Sequence, residues 1–415
     1  MSVETSRPAG AVHDAPPHVP GELVRAFDFA FGSGTKSAPH VGLAALHDGP
    51  RTFFNVGDPY NPPGWVPVRG DDIRLILQDP ATFSARKSVR FSALIGEDWD
   101  LIPAETDPPQ HTDYRTMLAP AFSPKRMSDL DGRVRERAVD LVEQLRGQTS
   151  CEFMQAFGRA FPVYIFLSLM GLPSENIELF SKWMHDVLHG EDMAARSAGA
   201  TAVAAYLRKV GEERRGQSGD DLITIVVNST VKGRPLTDDE IIGALFLIFG
   251  GGIDTVAASL GFIFLHLARN PELQAQLRGD PSLVGDAVEE FLRRYSLVSV
   301  RRQVLRDVEA AGVAMKQGDW VHLMTPLASM DPDEFPDPLA LDISRSPNRH
   351  TAFSYGPHRC IGSHLARREL VIALEEWLPR LPPFRLANGD AYRTHGGLLG
   401  VDWLNLVWDR SFANP

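Results

Sequence analysis

The sequence predicts a mainly α-helical protein with a minor β region. Three observations support this fold class. Apolar residues recur at helical spacing in much of the chain before residue 295, as in the segment 124–148. The capping box Thr237-Asp-Asp-Glu240 precedes an apolar stretch that continues to about Ala268. Beyond residue 295 the pattern changes to short segments typical of strands, with glycine-containing turns between them.

The helices are predicted in chain order from this periodicity. Before the capping box, the helical segments are 71–77, 111–122, 124–148, 175–187, 194–213 and 220–227. The helix that follows the capping box would have about 32 residues and a length of about 48 Å, enough to cross a whole domain. Later helices are predicted at 271–278, 282–295 and 361–378.

The β region is predicted from short apolar segments bounded by turns. The candidate strands are 300–305, 308–310, 313–315 and 320–323, with turns at Gly312 and at 316–319. A proline-rich coil covers 330–347, and further short strands are expected within 384–408.

Length and composition restrict the class of protein. The chain has 415 residues, 43% of them hydrophobic, which is enough for a large buried core. Its 42 basic and 53 acidic side chains give a net charge of −11, which argues against a nucleic-acid-binding protein. We expect residues 1–18 to form a disordered arm, judged by their composition, and residues 19–415 to form a single domain.

Cysteine count and apolar runs indicate the compartment. The two cysteines, Cys151 and Cys360, cannot build a disulfide scaffold, so a reducing, cytoplasmic compartment is expected. The first twenty residues contain no apolar segment of the kind that secretory signals carry. The most apolar stretch, 241–267, is interrupted by three glycines and by Asp254, so no membrane span is expected.

The segment 353–367, FSYGPHRCIGSHLAR, is the most informative part of the sequence. Cys360 directly precedes a predicted helix, whose unpaired N–H groups and partial positive charge favour a thiolate. Gly356 permits a tight turn, and Gly362 permits a close approach to a large flat ligand. Two interpretations follow from these residues alone. Cys360 is either a ligating or reactive thiolate, or a buried structural cysteine of the kind common in protein cores.

This segment resembles the haem-ligand loop of the cytochrome P-450 family, F-x-x-G-x-[HR]-x-C-x-G, with Ser354 in place of the family's common second glycine. The resemblance implies haem b as cofactor, with Cys360 as the thiolate ligand of the iron and Phe353 and Gly362 beside the haem. It also implies the family's fold, a triangular prism in which a long central helix crosses the haem.

A second motif lies inside the long apolar helix, at Gly250-Gly-Gly-Ile-Asp254-Thr255. Each mid-helix glycine costs about 1 kcal/mol relative to alanine, so three in a row indicate close helix packing or an opening of the helix. Gly251 to Thr255 resembles the family's distal A-G-x-D-T motif, with Gly251 where alanine is usual. The resemblance implies a catalytic pair: Thr255 donates a hydrogen bond to dioxygen, and Asp254 relays protons from solvent.

Three further groups of polar residues match the family in order along the chain. Alone, each reads as an ordinary solvated surface pair. The resemblance implies instead that Glu290, Arg293 and Arg345 form a buried structural triad. It also implies that four residues hold the haem propionates, since arginine and histidine suit carboxylates: His111, Arg115, Arg302 and His358.

The substrate prediction depends on a closer resemblance, to the camphor hydroxylase subfamily, over roughly residues 20–410. Trp99 stands where that enzyme has a tyrosine that binds the substrate ketone, although an indole N–H can still donate. Val300 and Arg301 replace an aspartate and a glycine. The preferred substrate is therefore a terpenoid or norisoprenoid, ionone-like or camphor-like in size. The predicted pocket consists of Phe91, Leu94, Trp99, Leu247, Gly251, Val298 and Val300.

The predicted function is a haem-thiolate monooxygenase that uses dioxygen and two electrons. The chain shows no flavin domain and no Rossmann fingerprint, so the resemblance implies a 2Fe–2S ferredoxin and an NAD(P)H-dependent ferredoxin reductase as partners. An acidic ferredoxin would dock on basic residues near Cys360, namely Arg115, Lys125, Arg126, Arg349, Arg359 and Arg368. Three alternatives stay open: a peroxide-driven peroxygenase, which the Asp254–Thr255 pair disfavours, a non-catalytic haem sensor or carrier, and a helical interaction protein.

Overall fold

The computed structural model describes residues 13–29, 39–58, 61–190 and 192–409. Of the predicted disordered arm, residues 1–12 lie outside this part of the chain. Residues 13–18 lie against the rest of the fold: the backbone N–H of His13 donates to the carbonyl of Val56, and the His18 ring bonds the Asp319 carboxylate at 2.9 Å. The division into an arm and a single domain stays a prediction.

The mainly α-helical fold class is confirmed. Within the described residues the α-helices are α1 (Pro39–Ala44), α2 (Gly70–Gln78), α3 (Gln110–Leu118), α4 (Pro124–Ser128), α5 (Asp131–Gln144), α6 (Ala160–Met170), α7 (Ile177–His189), α8 (Met193–Glu213), α9 (Leu222–Val227), α10 (Asp238–Ile253), α11 (Thr255–Leu267), α12 (Pro271–Gly279), α13 (Val284–Arg294), α14 (Thr325–Ser329) and α15 (Ser363–Arg380).

The strands form the minor component. They are β1 (Val24–Arg25), β2 (Thr52–Asn55), β3 (Gly64–Pro67), β4 (Phe83–Ser84), β5 (Ser150–Glu152), β6 (Thr230–Val231), β7 (Arg234–Pro235), β8 (Ser299–Val304), β9 (Val308–Ala310), β10 (Val313–Met315), β11 (Trp320–Met324), β12 (Phe384–Leu386), β13 (Tyr392–His395) and β14 (Gly400–Trp408).

The largest sheet has six strands in the order β1-β2-β3-β11-β8-β4. The antiparallel pair β8 and β11 sets Arg302 opposite Val321 and Val300 opposite Leu323. Because side chains alternate along a strand, Val300 and Arg302 share one face of β8 and Arg301 lies on the other. A second sheet joins β12, β13 and β5 to β14.

Two predicted helices are wrong in extent. The segment 124–148 is two helices, α4 and α5, because α-helical hydrogen bonding is interrupted at Asp129 and Leu130, although both residues keep helical dihedral angles. The long apolar helix is interrupted at Asp254, which separates α10 from α11. The predicted capping box is confirmed: the Thr237 hydroxyl accepts from the Glu240 N–H, and the Glu240 carboxylate accepts from the Thr237 N–H.

Helices and strands that are buried on every side were not predicted from the sequence. Helix α6 is apolar almost all round, so it shows no amphipathic period. Strands β2 and β3 are buried at every position and show no alternation. A periodic pattern of apolar residues arises only where an element has one buried face and one exposed face. Helix α6 and strands β2 and β3 have no exposed face of this kind.

The helix pair α10–α11 lies in the core. The stretch Asp238–Leu267 is long and apolar enough to cross a membrane, but it is mostly buried inside the fold, as core helices of the same length and composition are. The backbone carbonyl of Asp100 lies 2.0 Å from where a Cβ of Gly243 would be, so only glycine fits at that crossing. The pair thereby places Gly250–Thr255 near the middle of the molecule.

Candidate active site

The Cys360 loop is a rigid turn between a coil and α15. The Cys360 N–H donates to the Phe353 carbonyl over 2.8 Å, which closes the loop. Gly356 has φ +70°, and a Cβ there would lie 2.7 Å from the carbonyl oxygen of Leu77. Ser354 also adopts a left-handed conformation, with φ +61°, at the position where the family pattern has glycine. The Phe353 ring lies under the Arg367 guanidinium at 4.5 Å.

The Cys360 thiol faces an internal cleft. Its side chain keeps accessible surface although protein surrounds it, so that surface belongs to the cleft. Burial raises the pKa of the Cys360 thiol, and this effect outweighs the Gly362 backbone N–H and the charges of Arg115, Arg359 and Arg367. The helix start and the neighbouring charges favour the thiolate as expected, but for the thiol on its own burial has the larger effect. Bonding to a metal ion would deprotonate it.

Four residues predicted to hold propionates lie together near the Cys360 loop. The His111 and His358 rings are 4.2 Å apart between centroids. Both His111 ring nitrogens and His358 Nε2 are buried without a hydrogen-bond partner among the described residues. Burial lowers the pKa of His358 to about 2, with the charges of Arg302, His111 and Arg115 adding to the effect. The group is thus a cluster of buried nitrogen donors.

This cluster also carries two guanidinium groups that need an anion. Burial lowers the pKa of Arg302 to about 10, and Arg302 donates to the Arg301 carbonyl over 2.8 Å. The neighbouring carboxylate of Asp107 already accepts from Ser84 and from the Ala85 N–H. Burial lowers the pKa of Arg115 as well. Such an arrangement suits a ligand that brings its own carboxylates.

The break between α10 and α11 presents the second motif. The Thr255 hydroxyl donates to the Gly251 carbonyl over 3.0 Å, and a Cβ on Gly251 would meet open space. A Cβ on Gly252 would lie 2.1 Å from the Phe166 ring, and one on Gly250 would lie 3.1 Å from the Met184 methyl group. Both explanations offered for the glycines therefore apply: α6 packs closely against Gly252, while Gly251 borders open space.

Asp254 lies where the helix is interrupted. Its Oδ2 is 3.3 Å from His189 Nε2, on α7. Burial alone would raise the pKa of Asp254, but the His189 hydrogen bond and the charges of His189, His395 and Arg159 lower it. The carboxylate is therefore kept ionised deep in the fold.

Comparison with known proteins identifies the family. The family model for cytochrome P450 matches residues 176–382, which include both motifs. The probable cytochrome P450 127A1 of Sinorhizobium fredii is 41% identical over 403 residues, covering 95% of this chain and 96% of the relative. This chain belongs to the cytochrome P450 family. The family's members bind haem b through a cysteine thiolate and act as monooxygenases.

Two solved structures share the whole fold of this P450. CYP101C1 superposes with a TM-score of 0.85 at 33% identity, covering 95% of this chain and 100% of that structure. CYP101J2 superposes with a TM-score of 0.83, also at 33% identity, covering 96% and 100%. The buried donors without partners, the cysteine facing the cleft and the open space at Gly251 fit a haem between the Cys360 loop and α10–α11.

The predicted substrate-pocket residues of the P450 differ in how deeply they are buried. Five are only partly buried although they pack on the core: Phe91, Leu94, Leu247, Val298 and Val300. Trp99 is 3% exposed and packs on Phe246, with ring centroids 5.3 Å apart. Its indole N–H donates to Glu97 over 2.5 Å, and Arg208 holds that carboxylate. The indole N–H does donate, but to Glu97, so it is not free for a substrate carbonyl in this structure.

The predicted structural triad of the P450 is assembled. Arg293 donates to both carboxylate oxygens of Glu290, at 2.8 and 2.7 Å, and Arg345 Nε lies 3.3 Å from the same carboxylate. The Arg293 guanidinium also donates to the carbonyls of Ser329, Pro338 and Ala340. The triad thereby ties α13 to the coil that leads to the Cys360 loop.

The predicted basic docking face is only partly available. Lys125 and Arg359 are exposed, and Arg349 pairs with Glu334 at 3.4 Å. Arg126 is bonded to the Asp220 carbonyl and Arg368 to Asp131, while Arg115 faces the interior. Lys125, Arg349 and Arg359 therefore remain as candidate docking residues.

Two residues near the site were missed by the sequence analysis. His189 reads as the end of an ordinary amphipathic helix, and nothing in its neighbourhood marks it as a partner of Asp254. Glu97 lies two residues before Trp99, and that spacing carried no signal that the pair would bond. Both contacts arise from tertiary packing or loop geometry.

Proposed function

We propose that this P450 hydroxylates a small apolar substrate of the terpenoid or norisoprenoid class, with electrons from a 2Fe–2S ferredoxin and in the cytoplasm. The observation that carries the proposal is the cleft itself. Cys360 keeps accessible surface inside the protein, Gly251 borders open space, and buried nitrogen donors near the Cys360 loop lack partners among the described residues, and one haem between the loop and α10–α11 would account for all three.

The residues of the chain have separate tasks in this mechanism. Haem, when bound, supplies the reductive activation of dioxygen. Cys360 Sγ would bind the haem iron as a thiolate, and His111, Arg115, Arg302 and His358 would hold the propionates.

The α10–α11 break handles protons on the opposite side of the cleft. The Thr255 hydroxyl, which donates to the Gly251 carbonyl, can turn that proton toward the cleft. Asp254, once it has itself taken up a proton, then restores a proton to the threonine, because it is the carboxyl group nearest to that hydroxyl along the chain.

The substrate class follows from the lining of the pocket. Its predicted side chains are apolar, and the indole donor of Trp99 is bonded to Glu97. A substrate carbonyl would gain nothing from that position, so shape and apolar contact select the substrate. The resemblance to the camphor hydroxylase subfamily supports a substrate with a compact terpenoid skeleton. Because the Trp99 N–H is bonded to Glu97, that substrate does not need a ketone.

A matched pair of ligands tests the substrate class. We would measure the low-spin to high-spin Soret shift with a bicyclic terpenoid ketone and with the hydrocarbon that lacks the carbonyl. Dissociation constants within about threefold of each other are expected, since a hydrogen bond of about 1 kcal/mol would separate them by more. A ketone that binds tenfold tighter would contradict the assignment of Trp99.

The electron donor is tested at the Cys360 face. Turnover supported by a ferredoxin, its reductase and NADH should fall steeply with rising salt, because opposite charges steer the two proteins together. Lys125→Glu should raise the KM for ferredoxin several-fold, whereas Lys209→Glu, on the exposed part of α8, should not. Equal effects of the two variants would contradict docking at this face.

The same reconstituted system separates the alternatives. A monooxygenase forms hydroxylated product with ferredoxin and NADH. A haem sensor or carrier forms none, and a peroxygenase forms product with hydrogen peroxide in their absence.

A further inference from the structure

A second cavity reaches Asp254 from another direction. It has a volume of about 360 Å³, and its lining residues come from α7, α10–α11, β13 and β14. They include His185, His189, Asp254, His395 and Asp402, but not Cys360, Gly251 or Thr255. Both polar and apolar side chains line the cavity, which has room for several water molecules. It therefore approaches Asp254 by a route other than the Cys360 cleft.

Titratable side chains lie in a row along this cavity. His189 Nε2 lies 3.3 Å from Asp254 Oδ2, and the His189 and His395 rings are 4.3 Å apart between centroids. His395 Nε2 lies 3.9 Å from Asp402 Oδ1, within ion-pair distance but beyond a direct hydrogen bond. A quarter of the Asp402 side chain is accessible.

The backbone around His395 leaves space for its imidazole ring. A Cβ on Gly400 would lie 2.3 Å from His395 Nε2. The first residue of β14 must therefore be glycine for the strand to lie this close to the His395 ring. His395 Nδ1 lies 3.2 Å from the Gly396 carbonyl and, as a donor, fixes the tautomer that leaves Nε2 free to accept a proton. The position and orientation of His395 are thus set by the backbone around it.

We propose that His189, supplied through His395 and Asp402, returns protons to Asp254 from solvent. The proposal rests on the proposed function, in which Asp254 gives protons to Thr255. In each cycle the Nε2–H of protonated His189 passes its proton to Asp254 Oδ2. The ring, left neutral with its remaining proton on Nδ1, then regains a proton at Nε2 from cavity water or from His395, so the histidine is unchanged overall.

The charges around His189 suit this role. The charged and titratable groups that line the cavity besides His189 are Lys182 and His185 on α7, Arg159 before α6, Asp254 between α10 and α11, His395 on β13 and Asp402 on β14. Just outside it, Asp186 pairs with Lys182 and Arg393 with Asp402. Burial, followed by the charge of His189, lowers the pKa of both His185 and His395. Lysine and arginine do not release protons near neutral pH, whereas histidine does. His189 is the histidine in contact with Asp254.

The pH dependence follows from the direction of transfer. Proton delivery needs the charged imidazole, so it should weaken as pH rises through the range in which histidine loses its proton. His189→Gln keeps a hydrogen-bond donor toward Asp254 but cannot titrate. His185→Gln is the matched control, since its ring lies in the same cavity, 5.3 Å from His189, and has no bond to Asp254.

The test compares coupling, the ratio of product formed to NADH consumed, between pH 6 and pH 9, together with histidine NMR titrations. His189→Gln should lower coupled turnover about tenfold and remove its decline with pH, while substrate binding stays within twofold. His185→Gln should change coupling less than twofold. In the NMR spectra, Asp254→Asn should move the ring signals of His189 and leave those of a distant histidine such as His13 unchanged.

Two outcomes would overturn the path. One is coupling in His189→Gln equal to the unmodified protein, and the other is faster coupled turnover, which would mean that His189 restrains Asp254. If Asp254→Asn keeps full coupling, the proposed role of Asp254 itself fails. If Asp254→Asn is impaired while His189→Gln is not, only the histidine path fails.

Discussion

At the scale of single residues, Ser354 carries a backbone conformation that glycine adopts more easily. Its φ is +61°, and its hydroxyl is buried without a partner among the described residues. A side chain in the left-handed region costs about 1–2 kcal/mol, and a buried unpaired hydroxyl adds to that cost. The family's glycine at this position thus has a physical reason, and the loop tolerates serine at the expense of stability.

We predict that Ser354→Gly stabilises the protein by about 0.5–1 kcal/mol, after the greater freedom of glycine in the unfolded chain is subtracted. Urea unfolding measures the change. Ser354→Ala, which removes the hydroxyl but keeps the Cβ, should give a smaller gain. A lower free energy of unfolding in Ser354→Gly would show that Ser354 is not strained.

Thr255 is the second residue for which substitution should have a specific, measurable effect. Thr255→Ala removes the hydroxyl that borders the cleft at Gly251. NADH consumption should continue with much hydrogen peroxide and little hydroxylated product, because the last proton donor is lost. Thr224→Ala, at the start of α9, is a control outside the cleft. Unchanged coupling in Thr255→Ala would contradict the role given to this hydroxyl.

At the scale of elements, the α10–α11 break combines close packing with open space in successive residues. Gly252 lies against the Phe166 ring of α6, whereas Gly251 borders the cleft. The helix is held on one side by packing and opens on the other, where Asp254 leaves helical hydrogen bonding. Glycine is therefore found at these three positions for different physical reasons, and the sequence pattern alone does not show which reason applies at which position.

This difference predicts opposite results for neighbouring substitutions. Gly252→Ala should destabilise the protein by at least about 1–3 kcal/mol, because its Cβ would overlap the Phe166 ring. Gly251→Ala should be neutral or stabilising by up to about 1 kcal/mol, since alanine favours a helix and the space is open. Thermal unfolding checks both. Equal destabilisation would mean that the cleft is closed at Gly251.

At the scale of the whole molecule, the buried triad holds the helical part of the fold to the coil before Cys360. Arg293 is fully buried and joins Glu290 to three backbone carbonyls. Removing one partner of a buried ion pair leaves an uncompensated charge, so Arg293→Ala should cost about 3–5 kcal/mol and reduce haem retention. Arg215→Ala, which breaks two exposed pairs, should cost less than about 1 kcal/mol. A small loss in Arg293→Ala would show that the coil is held by other contacts.

How much of the fold and of the site could be predicted from the sequence depends on whether a feature is a local motif or a contact made by tertiary packing. The Cys360 loop and the α10–α11 motif are local patterns, and the sequence placed both correctly along the chain. The bond between Trp99 and Glu97 and that between Asp254 and His189 depend on how loops and helices meet, so no local pattern shows them. The raised pKa of Cys360 has the same origin, because burial is a property of the whole fold. Tertiary packing decided these features.

The central claim is that Cys360 binds the haem iron as a thiolate. The most direct measurement is the absorbance spectrum of the reduced carbon monoxide complex, in the unmodified protein and in Cys360→Ser. The account predicts the long-wavelength Soret band of thiolate ligation in the unmodified protein and its loss in Cys360→Ser, while Cys151→Ser keeps it. Retention of that band in Cys360→Ser would contradict the account.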